Sequence, residues 1–279
     1  MLKNIYINDI VTIAKEAGDA IMKIYEKDFT IEYKDDKSPL TEADTKSKEI
    51  ICNILQNLYP DIPILSEENK AAPYEERKAW EYFWLIDPID GTKEFIKKNG
   101  EFTVNIALIH NDTPVLGVVY APALGDMYRA KKGEGAYKNN QKLPLHVNST
   151  PEKKLSVVAS KSHLSQETQE FIDKLETQTI EQVSKGSSLK LCMVAEGVAD
   201  IYPRLAPTME WDTGAADAIV RECGKMSYQF ENNKPMIYNK ENLLNTFINS
   251  ALTITINTTP KNDVIPNKEI ILSSLIAWL

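Results

Sequence analysis

Cysteine is scarce. The 279 residues hold three, Cys52, Cys192 and Cys223, widely spaced and with no C-x-x-C pair. An odd, dispersed set argues against a disulfide framework and reads as reduced thiols packed as small apolar groups. Basic excess is also missing. Lys and Arg number 32 against 40 Asp and Glu, a formal net charge of −8. That balance argues against a general binder of polymeric nucleic acid, while leaving room for a local basic pocket for a small phosphorylated ligand. No apolar run approaches the roughly 18 residues needed to span a bilayer; Ile270 to Leu279 is apolar but too short. The first residues show no basic stretch leading into an apolar one, so the expected location is the cytoplasm. Internal repeats and low-complexity tracts are lacking too.

What is there is an ordinary soluble composition, 43% hydrophobic and 26% charged, at a length where one large core or two fused ones are both expected. Ile10, Ala14, Ala17, Ile21 and Ile24 follow the three-four spacing of an amphipathic helix. Thr41-Glu42-Ala43-Asp44 fits a capping-box start and leads into a helix with Ile50, Ile51, Ile54, Leu55 and Leu58 inward. Ile62 to Leu65 is a short strand ended by Ser66-Glu67-Glu68. Tyr82 to Ile86, Phe102 to Ile109 and Val115 to Ala121 are strands, the last apolar enough to be covered on both faces. Asn139-Asn140 marks a hairpin turn. Composition changes around residues 148–154, which divides the chain into an expected N-terminal α+β half (1–150) and a C-terminal α/β half (151–279). Beyond the boundary strand and helix alternate: Leu155–Ser160, Gln166–Leu175, Ile180–Val183, Ser188–Gly197, Ile201–Pro203 and Asp212–Cys223. Ala251 to Asn257 suggests a final strand, with a loop and a short helix after it.

The chain is organised around Trp84-Leu85-Ile86-Asp87-Pro88-Ile89-Asp90-Gly91-Thr92. Two carboxylates sit where a buried strand hands over to a helix beginning at Thr92. Carboxylates and a backbone carbonyl suit Mg²⁺, and helix N-terminal N–H groups suit an anion. Asp-Pro and Asp-Gly are also ordinary turn formers, and the spacing does not match the alternate ligands of a calcium loop. Glu67 ends a strand upstream, and Asp212, after Trp211, opens a helix in the second half. Strand ends are where α/β proteins place their sites. Each of these residues alone, Asp44 included, also fits a turn or a cap.

Asp87-Pro88-Ile89-Asp90-Gly91-Thr92 and Trp211-Asp212-Thr213-Gly214-Ala215-Ala216 together resemble the paired motifs of the Mg²⁺-dependent, lithium-sensitive phosphatase superfamily of inositol monophosphatase. The likeness runs from about residue 8 to about residue 240. Lys93-Glu94-Phe95, Gly186-Ser187-Ser188-Leu189-Lys190 with Ala195-Glu196-Gly197, and Ala199 to Arg204 resemble its 3'(2'),5'-bisphosphate nucleotidases of the CysQ branch. Ala159-Ser160-Lys161-Ser162-His163 is similar to that branch with Lys161 in place of an arginine.

The resemblance implies a layered αβαβα sandwich of the sugar-phosphatase type. It implies hydrolysis of adenosine 3',5'-bisphosphate, with an inositol phosphate or a non-catalytic nucleotide-binding role as the alternatives. Two or three Mg²⁺ ions are implied, one on Glu67, Asp87 and the Ile89 carbonyl, another on Asp87, Asp90 and Asp212. Glu67 and Thr92 would orient the attacking water, with Asp44 hydrogen-bonded to Thr92. Gly91 and Thr92 N–H groups would hold the phosphate beside Glu67, Ile89, Asp90 and Asp212. His163, Ser187, Lys190 and Arg204 would contact the ribose and the phosphate that is not cleaved. The implied partner is a small nucleotide bisphosphate.

Overall fold

The structure is a computed structural model and describes residues 1–33, 39–146, 154–160, 164–175, 179–245 and 248–252. Helix α1 (Ile7–Tyr25) leads to a hairpin of β1 (Ile31–Tyr33) and β2 (Pro39–Thr41), then to α2 (Glu42–Leu58). Then come β3 (Ile64–Ser66), the short α3 (Tyr74–Arg77), β4 (Tyr82–Asp90), α4 (Thr92–Ile96), β5 (Thr103–His110), β6 (Thr113–Ala121), β7 (Asp126–Lys131), β8 (Gly135–Lys138) and β9 (Gln141–Lys142). Strands β3 to β9 form one seven-stranded sheet in chain order, antiparallel except for β3 beside β4. Asn139, at a positive φ of 53°, turns β8 into β9 as the Asn-Asn pair predicts.

The second half adds β10 (Leu155–Ser160), α5 (Gln166–Asp173), β11 (Ile180–Lys185), α6 (Leu189–Glu196), β12 (Ile201–Arg204), α7 (Glu210–Glu222), β13 (Lys225–Gln229) and β14 (Ile248–Leu252). Its strands form a mixed five-stranded sheet in the order β11-β10-β12-β14-β13. The final strand begins earlier than the alternation of Ala251 to Asn257 suggests, at Ile248, where β14 pairs with both β12 and β13; residues 253–257 of that stretch lie outside the described residues. The tail helix predicted beyond it falls outside the described residues.

Alternation along the strands sets the layers. On β4, Trp84 and Ile86 face α1 and α2, and Phe83 and Leu85 face α6 and α7. On β5, Val104, Ile106 and Leu108 take the first face and Ala107 and Ile109 the second. Both faces of the seven-stranded sheet are therefore apolar, and the strands read as near-continuous hydrophobic runs. Leu191, Val194 and Ala195 of α6, with Ala215, Ala216, Ile219 and Val220 of α7, fill the space between the two sheets. Phe171 and Ile172 of α5 close the outer face over Leu155, Val157 and Ile201. This is the αβαβα sandwich that the sequence suggests.

Two glycine contacts bring helices hard against β6. A Cβ at Gly18 of α1 would lie 2.5 Å from the Tyr120 ring, and one at Gly117 would lie 2.0 Å from the Ala215 carbonyl of α7. Only a bare Cα lets backbone approach that closely. In α2 the inward stripe is narrower than expected: Ile51 and Leu55 are fully buried, and Leu58, in the last turn, is 49% exposed.

Candidate active site

The site begins where β4 breaks its ladder. Pairing with β5 runs regularly to Asp87 opposite Asn105, then shifts before Asp90 meets Thr103. Pro88 has no N–H to give the ladder; its carbonyl instead accepts the Ser47 hydroxyl at 2.8 Å. Asp87 Oδ1 accepts the Ile89 N–H at 3.1 Å, which bends the chain back over its own side chain. Gly91, at φ +91°, turns it again, and α4 starts at Thr92. Helix α4 has only five residues. Its macrodipole is small, so any anion held there depends on the N–H groups themselves.

One oxygen each from Asp87, Asp90 and Asp212 lie within 4.8 Å of one another. Asp87 is buried at 1% exposure, and the other two sit in the wall of a cavity. Asp212 occupies the first turn of α7 and does two jobs: Oδ2 accepts the Met209 N–H at 2.8 Å, capping the helix, and the carboxylate still belongs to the cluster. Glu67 follows β3, held beside β4 by its N–H on the Ile86 carbonyl at 3.1 Å.

These groups crowd one another. Burial holds Asp87 well above the usual carboxylate range, and the charges of Glu67, Asp90 and Asp212 push the same way. Asp212 is raised to about 8 by burial first and Asp90 second. Burial also raises Asp90, against the pull of Lys190 and the hydrogen bonds from Ser188. A cluster of hard oxygen donors that cannot all ionise alone calls for cations. The donors present therefore fit Mg²⁺: carboxylates of Glu67, Asp87, Asp90 and Asp212, and the Ile89 carbonyl at the bend.

Asp44 does what the capping box predicts and more. Its Oδ2 accepts both the N–H and the hydroxyl of Thr41, at 2.8 and 2.7 Å. Its Oδ1 lies 3.3 Å from the Thr92 hydroxyl. That hydroxyl is equally far, 3.3 Å, from the Ile89 carbonyl. Its one proton is shared between these two acceptors.

The opposite wall comes from the second half. The cavity encloses about 230 Å³. Lys190, which as a helix residue would ordinarily be solvated, is only 7% exposed; its ammonium donates to the Ser187 carbonyl at 2.6 Å and lies 5.7 Å from the Tyr202 ring centroid. Burial, helped by the Arg204 charge, lowers it to about 8. Arg204 lines the same cavity and donates to the Pro207 carbonyl at 3.2 Å. Ser187 stands at φ +47°, and its hydroxyl is buried without a hydrogen-bond partner among the described residues. The structure thus brings together Asp44, Glu67, Asp87, Ile89, Asp90, Gly91, Thr92, Ser187, Lys190, Arg204 and Asp212; His163 and Lys161 lie outside the described residues.

Sequence reasoning passes over Ser188 and Asn105. Ser188 donates to Asp90 from both N–H and hydroxyl, at 2.6 and 2.8 Å, and Asn105 Nδ2 donates to the Ser188 hydroxyl at 2.8 Å. The available signal was Asn105 itself, an amide in an otherwise apolar strand at a position that alternation turns inward. Glu94, 8% exposed in the cavity wall, is the third omission.

The model of the inositol monophosphatase family matches residues 3–261. A 3'(2'),5'-bisphosphate nucleotidase CysQ of Salmonella typhimurium is 44% identical over 253 residues, 90% of this chain and 99% of that one. The protein of the same name from Escherichia coli K12 is 44% identical over 86% of this chain and 96% of its own length. Among solved structures, CysQ from Bacteroides thetaiotaomicron superposes with a TM-score of 0.79 at 43% identity, covering 88% of this chain and 97% of that one.

Proposed function

The chain belongs to the inositol monophosphatase family and is a phosphoric monoester hydrolase of the 3'(2'),5'-bisphosphate nucleotidase class; from that premise we propose that it removes the 3'-phosphate of adenosine 3',5'-bisphosphate, or of its sulfated precursor, with a role in sulfur assimilation or recycling of that nucleotide. One observation carries the substrate: Asp90 and Asp212 of the carboxylate cluster line the same cavity as the buried Lys190 and Arg204. A phosphate monoester needs only the cluster. A second phosphate has a use for the cations, through charge-assisted hydrogen bonds.

Mg²⁺ bound by Glu67, Asp87, Asp90, Asp212 and the Ile89 carbonyl would supply charge neutralisation on the phosphate and a more acidic water for in-line attack. The chain's own groups do the rest. Asp44 accepts a hydrogen bond from the Thr92 hydroxyl, which leaves the Thr92 oxygen's lone pairs to accept one from the attacking water. Glu67 accepts from the same water on its other side and fixes its line of approach. The Gly91 and Thr92 N–H groups, at the turn where Gly91 stands at φ +91°, bind a phosphate oxygen. As the bond from phosphorus to the ribose oxygen breaks and the water oxygen joins phosphorus, one water proton stays with the released phosphate and the other passes through solvent to the ribose oxygen, which leaves as a hydroxyl, while Lys190 and Arg204 hold the 5'-phosphate still. The Ser187 hydroxyl, buried and without a hydrogen-bond partner among the described residues, would bond the ribose. In this reading the N-terminal half supplies most metal ligands and the C-terminal half supplies specificity. Three unpaired cysteines suit a reducing cytoplasm, and no helix among the described residues is long and apolar enough to cross a membrane.

The test is phosphate release from adenosine 3',5'-bisphosphate and inositol 1-phosphate side by side, with Mg²⁺ and then with added Li⁺. Preference for the nucleotide, lost with Li⁺, is the expected result. Preference for the inositol phosphate would overturn the roles given to Ser187, Lys190 and Arg204 and keep the metal site.

A further inference from the structure

Asp44, Asp87, Asp90 and Asp212 each have an oxygen tied to a backbone N–H. Asp87 Oδ1 takes the Ile89 N–H, Asp212 Oδ2 the Met209 N–H and Asp44 Oδ2 the Thr41 N–H. For all three the donor is two or three residues away in the chain. Asp90 is different. Its Oδ2 takes the N–H and hydroxyl of Ser188, 98 residues later, at 2.6 and 2.8 Å. Those bonds leave only Oδ1 of Asp90 for a cation.

Ser188 stands at the N-cap of α6, where a serine ordinarily bonds its own helix. Here its side chain makes no capping bond. The hydroxyl, in a side chain 3% exposed, lies instead 2.8 Å from Asp90 Oδ2 and 2.7 Å from the Asp212 carbonyl oxygen. Asn105 Nδ2 occupies one of its lone pairs at 2.8 Å, which turns the single hydroxyl proton toward those two acceptors. Asn105 is itself 1% exposed and sits on β5 opposite Asp87. One serine thus touches the side chain of one candidate ligand and the backbone of another.

The loop carrying Ser188 has little freedom. The Gly186 N–H donates to Glu101 at 2.9 Å, Lys185 pairs with the other Glu101 oxygen at 3.1 Å, and a Cβ on Gly186 would lie 2.7 Å from the Glu101 carbonyl. The same loop presents Ser187 and leads into Lys190.

We propose that Ser188, held by Asn105, is a positioning residue that fixes Asp90 and the first turn of α7 for metal binding, and so ties metal affinity to the loop that presents Ser187 and Lys190. The proposal rests on the metal-dependent reading above. Partners that orient metal ligands from behind typically contribute 10–100-fold to metal affinity.

The test titrates the full chain, stripped with chelator, with Mn²⁺ and no nucleotide, following free Mn²⁺ by electron paramagnetic resonance. Melting temperature without metal is recorded beside it. Ser188→Ala is expected to weaken Mn²⁺ binding about tenfold. Asn105→Leu is expected to weaken it less, and the double variant to bind no more than twofold more weakly than Ser188→Ala, because both act through one hydroxyl. A purely structural role would lower the melting temperature and leave Mn²⁺ binding within twofold of wild type; that result overturns the proposal. Should Ser188→Ala not fold, Asn105→Leu decides alone, and unchanged Mn²⁺ binding there overturns it. Wild-type protein that binds no Mn²⁺ would sink the metal-dependent reading and this proposal with it; binding that is equal in wild type and variants sinks only the proposal.

Discussion

Replacing Gly117 with alanine tests whether the packing between the sheets holds the site in shape. The added Cβ would lie 2.0 Å from the Ala215 carbonyl oxygen, 2.9 Å from its carbonyl carbon and 2.9 Å from the Ala218 Cβ. The first atom is backbone, in the middle of α7, and has no rotamer to retreat to. Ordinary carbon–oxygen contact needs more than 3 Å, so α7 must withdraw by about 1 Å along much of its length. Overpacking of this kind costs about 3 kcal/mol. For a chain of this size that lowers the melting temperature by roughly 6–12 °C. Function should suffer more than stability, because Asp212 is carried in the first turn of α7. A misplacement of about 1 Å at a reacting centre can cost about a hundredfold in rate. The assay pairs thermal unfolding with the Mg²⁺ dependence of phosphate release. A variant that melts within 2 °C of wild type and keeps its rate would refute the claim that α7 is pinned through Gly117.

Three further outcomes are expected. In chelator, stability should fall as pH rises from about 4 toward 8: folded Asp87, Asp90 and Asp212 hold protons that the unfolded chain, titrating in the ordinary carboxylate range, has already released. Excess Mg²⁺ should flatten that slope, and a melting temperature that climbs with pH in chelator would contradict it. Lys190→Met should lower kcat/KM for the bisphosphate by roughly 10–100-fold, the worth of a hydrogen bond to a charged group, and lower it much less for 3'-AMP; equal losses on both substrates would remove Lys190 from specificity. Cys192, buried and with its thiol pushed well up by that burial, should resist alkylation at neutral pH until denaturant is added, as peptide mapping would show; prompt labelling of Cys192 in the native protein would contradict its placement in the core between the sheets.

The fold was legible where physical periods run unbroken. Ile10, Ala14, Ala17 and Ile21 mark α1 by spacing, and all four are buried. The capping box at Thr41 and Asp44 marks the start of α2 and is present with both bonds. Strand β4 ran further than its apolar stretch suggested, to Asp90, because pairing resumes after the bulge at Pro88. The candidate metal ligands were legible for a local reason: Asp87 and Asp90 are placed by a single turn whose proline and glycine are written beside them. Asp212 is legible only as a helix start. The fold, not the local sequence, brings it to the first pair.

The second half is less legible because its contacts are not local. Nothing near Ser188 in the chain distinguishes it from Ser187, and a serine before a helix suggests a cap. Backbone conformation separates them. Ser187 stands at φ +47°, with its hydroxyl buried, and the next residue, at φ −62°, bonds Asp90 and the Asp212 carbonyl. On the proposed function, the first would serve the substrate and the second the metal ligands. The same logic gives Lys190 its meaning. Three residues on, one turn into α6, an ammonium is carried out of water onto the Tyr202 ring and within reach of the Ser187 carbonyl. Removing that charge from water carries a cost, and the ring and the carbonyl offset only part of it. An anion arriving in the cavity recovers more, and a terminal phosphate recovers more than a hydroxyl. On the function proposed above, selectivity for a bisphosphate would follow from the burial of Lys190 rather than from its charge alone, and an exposed lysine on the same helix would confer little of it.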